Sequence, residues 1–168
     1  MAGSIAILYG LDLLILLLDM GAALAAHGER HRWPVPRGRL LLPGLLATLG
    51  TAILLVSPEI RDATLPHLGT VGLAGLAIGA LRGRLMTIDA DHIQGLVRLH
   101  GGQDGAWAGW TMAACAAIQS LIETGLPPDN LYEASAELLM VLCSGYLLGR
   151  SLIAWLRAGR LPPLAAPT

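Results

Sequence analysis

Residues 65–84 read LPHLGTVGLAGLAIGALRGR, an apolar run with no formal charge until Arg82 and Arg84 arrive together. At ~1.5 Å rise per residue the uncharged part reaches roughly 26 Å, close to the hydrocarbon thickness of a bilayer. Gly69, Gly72, Gly75, Gly79 and Gly83 fall three and four apart and therefore share one side of a helix. A glycine seam lets helix backbones approach closely, which is how helices associate in lipid once the hydrophobic effect no longer drives them together. The stretch predicts a central transmembrane helix with its neighbours packed on the glycine side.

Four further runs have the same character, so the expectation is an all-α membrane fold. It is a bundle of five transmembrane helices at about 4–26, 40–56, 65–81, 106–124 and 131–149, forming a single polytopic domain. Composition agrees: 54% of the 168 residues are hydrophobic and 14% charged, where soluble domains carry roughly 25% charged residues. Mean hydropathy is +0.61. The formal net charge of −1 gives no reason to expect a nucleic-acid partner. The expected partners are the lipid bilayer and other membrane proteins, or a second copy of the chain.

The runs alternate with loops whose charges set an orientation. The first run has no basic leader and carries Asp12 and Asp19, unlike a cleaved signal peptide. The loop after it holds Arg30, Arg32, Arg37 and Arg39, with Pro34 and Pro36 breaking any helix. Arginines concentrate on the cytoplasmic side of membrane proteins. Arg82, Arg84, Arg150 and Arg157 fall on the same side, and of all eleven basic residues only Arg61 falls on the other. The N-terminus is thus expected outside and the C-terminus in the cytoplasm. Trp33, Trp107, Trp110 and Trp155 lie near the same boundary, where amphipathic rings settle.

Between the third and fourth runs lies a polar cytoplasmic insert, residues 85–105. Residues 85–89 and 93–99 read as two short strands around a turn, a β-hairpin. Ile93, Leu96, Val97 and His100 also fit helical spacing, with Asp89 as an N-cap. Residues 150–168 form a cytoplasmic tail.

The order of features resembles the CcdC-like family of small bacterial membrane proteins. The resemblance is carried by RHRWPVPRGRLLLPG after the first run, by SPEIRD, by the glycine helix ending RGR, and by GYLLGRSLIAWLR at the last run. It implies a multi-pass protein of the bacterial inner membrane with a loose link to cytochrome c maturation. It implies no catalytic residue.

Ionisable groups inside a membrane are costly and so are the first functional candidates. Asp12 and Asp19 lie seven apart on one side of the first run, and His67, Gln119 and Glu137 fall with Asp12 in the outer half. They read either as a proton or cation relay or as interhelical hydrogen bonds made by neutral carboxyls. Asp19 lies nearer the arginine loop, which offers it a partner. Cys115 and Cys143 are on adjacent helices, as a dithiol or as two small apolar fillers. His27 with His31, and His92 with His100 beside Asp89, Asp91 and Asp104, lack any recognised zinc spacing, so neither a metal nor a cofactor is expected. The function expected is non-enzymatic: an accessory or assembly factor, or a subunit of a membrane complex. The alternatives are a small transporter or proton-conducting protein, and a redox protein binding haem or quinone.

Overall fold

The computed structural model describes residues 2–30, 35–56, 65–91, 96–100, 103–123 and 130–160. The elements run α1 (Ala2–Arg30), β1 (Val35–Pro36), a 3-10 turn (Arg37–Leu41), α2 (Leu42–Val56), α3 (Leu65–Leu85), β2 (Thr87–Asp91), β3 (Leu96–His100), α4 (Gln103–Glu123) and α5 (Asn130–Ala158). The expected SPEIRD loop with Arg61, the turn at 125–129, His31, Arg32, Trp33, His92 and the tail beyond 160 lie outside the described residues.

Helices α1, α2, α5 and α4 pack in a closed ring, each against the next, and α3 lies against α5 outside that ring. The expected centre is thus displaced: the chain is organised around α5, and α3 is a peripheral helix. The reason is that α3 has a single close-packing side. Ideal Cβ atoms at Gly75 and Gly79 would fall on the carbonyl oxygens of Leu142 and Tyr146 in α5. The partner side is glycine as well: a Cβ at Gly145 would meet the oxygen of Gly72, and one at Gly149 that of Leu76. Two backbones meet through facing glycines, and no side chain is left between them to receive a third helix. Gly83 continues the seam, 2.8 Å from the Arg150 oxygen by the same measure, whereas Gly69 meets nothing within 4 Å and is not part of it.

Among the described residues, three stretches are long and apolar enough to cross a membrane: Gly10–Gly28, Arg37–Leu55 and Ser135–Ala158. They point to membrane insertion. Helices α3 and α4 are 21 residues each, but His67, Arg82 and Arg84 in the one and Gln103, Asp104, Gln119 and Glu123 in the other lower their apolar content.

The insert is a hairpin. Strands β2 and β3 pair antiparallel from Thr87↔His100 to Asp91↔Leu96. The arginine-and-proline loop, expected to be irregular, adds a third strand through Val35↔Val97 and Pro36↔Leu96, giving the order β1-β3-β2. Proline is tolerated there because β1 is an edge, where a missing amide donor disrupts no inner ladder. The sheet alternates. Met86, Ile88, Val97 and Leu99 are buried with Leu40, Ala154 and Ala158, with Val35 and Trp155 beside them. Thr87, Asp89 and Arg98 are exposed on the other side. This period of two lays an apolar sheet face over one end of the helices. At that end α1, α3 and α5 finish and α2 and α4 begin, so successive helices alternate in direction.

Helix boundaries move mostly at this end. The fifth helix does not stop at Gly149 but continues to Ala158. The first runs on to Arg30, and the third to Leu85. The extra turns carry the helices onto the sheet.

Candidate functional site

Two polar groupings stand out from the apolar packing. The first lies where α3, α4 and α5 meet the sheet. Asp104 sits in the first turn of α4, before its apolar run begins. Its Oδ2 accepts a hydrogen bond from Arg82 Nε at 2.9 Å and another from the Tyr146 hydroxyl. Arg150 Nε lies 3.8 Å from the same oxygen. One carboxylate thus ties three helices together. Burial alone raises the Asp104 carboxyl pKa. The hydrogen bonds from Tyr146 and Arg82 and the charges of Arg150 and Arg82 outweigh burial and hold it below the usual carboxylate range. The hydrogen bond and charge of Asp104 in turn raise the Arg82 pKa.

Arg150 is 1% exposed, so it is not the solvated boundary residue its position predicts. Glycine makes the burial possible: a Cβ at Gly105 would fall on the Arg150 guanidinium. With its charge met by Asp104, Arg150 no longer ends the apolar run, and α5 continues past it. The carboxylate repays part of the desolvation cost that an isolated buried guanidinium would carry.

Other arginines at this end have specific tasks too. Arg157 Nη1 donates to the carbonyls of Gly83 at 2.9 Å, Arg84 at 2.7 Å and Met86 at 2.8 Å. It thereby caps oxygens that the end of α3 leaves without helical partners. Arg37 lies over the Trp155 ring, 4.7 Å from its centroid, a cation–π arrangement. Arg39 and Arg84 are exposed. Arg30 ends α1.

The second grouping is in the ring of four helices. Asp19 on α1 is 0% exposed, and neither of its oxygens has a hydrogen-bond partner among the described residues. Of the loop arginines expected to pair with it, Arg37 lies over Trp155 and Arg39 is exposed, so neither is its partner. Its Oδ1 occupies the space beside Gly50 of α2, 2.8 Å from where a Cβ would stand. Thr51, next along α2, is 6% exposed, and its hydroxyl likewise lacks a partner among the described residues.

The remaining candidates are spread over the same helices. Asp12 on α1, Gln119 on α4 and Glu137 on α5 are half-buried, whereas His67 is exposed at the start of α3. Helix α4 packs on both α1 and α5, so the first three stand on adjoining elements, while α3 touches the ring mainly through α5. Cys115 is buried and Cys143 half-buried, both as free thiols. His27 is half-buried on α1. His100 Nδ1 lies 3.5 Å from Asp89 Oδ2 across the hairpin. Among the described residues no three His, Cys, Asp or Glu side chains gather as a metal site.

Sequence reasoning did not single out Tyr146, Gly105, Gly145 or Gly149, nor the joint role of Asp104. One signal was present: Gly145 and Gly149 are four apart, the same spacing as Gly75 and Gly79. Another was the apolar run SLIAWL continuing beyond Arg150, which required an acid to neutralise that charge.

Compared with family models, curated proteins and solved structures, the chain finds no match.

Proposed function

We propose that the chain is a five-span integral membrane protein of a bacterial cytoplasmic membrane, non-enzymatic, and that it serves as an accessory or assembly factor or as a subunit of a membrane complex. The N-terminus is outside; the sheet and the C-terminus are in the cytoplasm. The observation that carries this reading is how the polar groups are used. Asp104, Arg82, Tyr146, Arg150 and Arg157 are engaged in holding helix ends together. What α3 turns outward is apolar: Leu73, Ile78 and Leu81 are 68%, 56% and 60% exposed. A helix packed mainly on one neighbour and greasy on its outer side suits lateral association in a bilayer. The link to cytochrome c maturation rests on the family resemblance.

Purification in a mild detergent tests this. A partner membrane protein in fixed ratio is expected, lost when Leu73 and Leu81 are changed to Trp. A protein that runs alone in several such detergents overturns the accessory reading. Reporter tags on the two termini should report opposite faces; tags on one face refute five spans.

Asp19 favours a second reading, proton or cation conduction. A carboxyl fully buried inside a ring of apolar helices is costly unless it is neutral or binds something. Proteoliposome flux that is abolished by Asp19→Asn, and lowered by Asp12→Asn or Glu137→Gln, supports it. The absence of flux in the wild type rules it out.

A further inference from the structure

We infer that a groove beside the seam between α3 and α5 holds part of one acyl chain of an anionic glycerophospholipid, whose phosphate is met by Arg82 and Arg84 at the end of α3. An apolar groove of about 140 Å³ runs along this seam, lined by Gly75, Ile78, Leu142, Cys143 and Tyr146. It lies beside the contact of Gly75 with the Leu142 backbone and opens outward next to Ile78, which is 56% exposed. Arg82 lies one helical turn beyond Ile78 on the same face. The groove therefore changes character along its length. Tyr146 is part of its wall, and the hydroxyl of that residue reaches Asp104, on which Arg82 also bonds.

Arg82 and Arg84 bring two positive charges to this end of α3, and Arg82 holds the Asp104 carboxylate. Arg82 keeps 43% of its side chain exposed while its Nε holds Asp104. Arg84 is exposed as well. An apolar slot ending on exposed guanidiniums at a membrane boundary has the chemistry of an anionic lipid, with chain and phosphate at the matching ends. The inference rests on α3 lying in the bilayer.

Native mass spectrometry tests it. The protein is released from nanodiscs containing phosphatidylglycerol and phosphatidylcholine with identical chains. The wild type should retain one phosphatidylglycerol, with roughly tenfold preference over phosphatidylcholine. Arg84→Gln leaves the Arg82–Asp104 pair intact and should reduce that preference. Ile78→Trp fills the groove from an exposed position and should remove the retained lipid. Glycerol phosphate, lacking chains, should not displace it. Equal retention of the two lipids, retention unchanged in both variants, or displacement by glycerol phosphate each overturn the site. A nitroxide on Ile78→Cys, in a Cys115→Ala, Cys143→Ala background, separates the two ideas. Accessibility to oxygen places α3 in lipid. Accessibility to a water-soluble nickel reagent removes both the span and the lipid site.

Discussion

Gly79→Ala and Gly69→Ala, made ten residues apart in the same helix, should have opposite effects. At Gly79 the new methyl would land on the Tyr146 carbonyl oxygen and within 2.9 Å of its Cα. Those are backbone atoms of α5, so no side chain can rotate aside and the two helices must separate. Overpacking of this kind costs about 1–3 kcal/mol. Replacing a helical glycine by alanine returns about 0.5–1 kcal/mol through reduced backbone freedom. The net loss should be about 1–2 kcal/mol, a fivefold to thirtyfold fall in the ratio of folded to unfolded protein. At Gly69 nothing lies within 4 Å, so only the favourable term remains. The measurement is unfolding in mixed micelles of mild detergent and SDS, followed by far-ultraviolet circular dichroism. Gly79→Ala should shift the midpoint to lower SDS and Gly69→Ala should leave it or raise it. Equal midpoints for the two variants would refute the claim that facing glycines hold α3 on α5.

Asp104→Asn should cost about 2–3 kcal/mol, because a buried Arg150 loses its carboxylate while Asp104 itself is still a quarter exposed; thermal unfolding checks it. A folded carboxyl held below its ordinary pKa makes its contribution in full above the unfolded value of about 3.9 and loses it as pH falls through the folded value. Wild-type stability should therefore drop on acidification below about pH 4, and Asp104→Asn should lose that part of the drop. Arg157→Gln should free the carbonyls of Gly83, Arg84 and Met86 at a cost of about 1.5–3 kcal/mol. Hydrogen exchange should then quicken in the last turn of α3 and the start of β2, more than elsewhere. Asp19→Leu should raise thermal stability, since it removes a carboxyl with no partner among the described residues; a marked loss would show that the carboxyl is engaged by something the protein binds.

Much was readable along the chain because membrane helices obey local rules. A run of about twenty apolar residues and the glycine period need no distant contact to be recognised. The hairpin was only half readable, since Ile93, Leu96, Val97 and His100 also fit helical spacing, and the pairing of β2 with β3 decided it. The burial of Arg150 was legible only as the apolar run SLIAWL beyond it, since no local pattern says that Asp104 and Gly105 will fold over its guanidinium. The third strand was hidden by Pro36, which local rules assign to a break.

From the sequence by itself came the five helices, three of them apolar enough to cross a membrane among the described residues, and the glycine face of α3, all properties of residues three or four apart or of single runs. The tertiary structure alone decided which helix stands at the centre, that Gly145 and Gly149 answer the glycines of α3, and that Asp104 joins Arg82, Tyr146 and Arg150. Each of these pairs residues more than twenty positions apart. Whether such residues meet depends on how backbones pack, and packing is set by the shapes of whole helices, which no local pattern encodes.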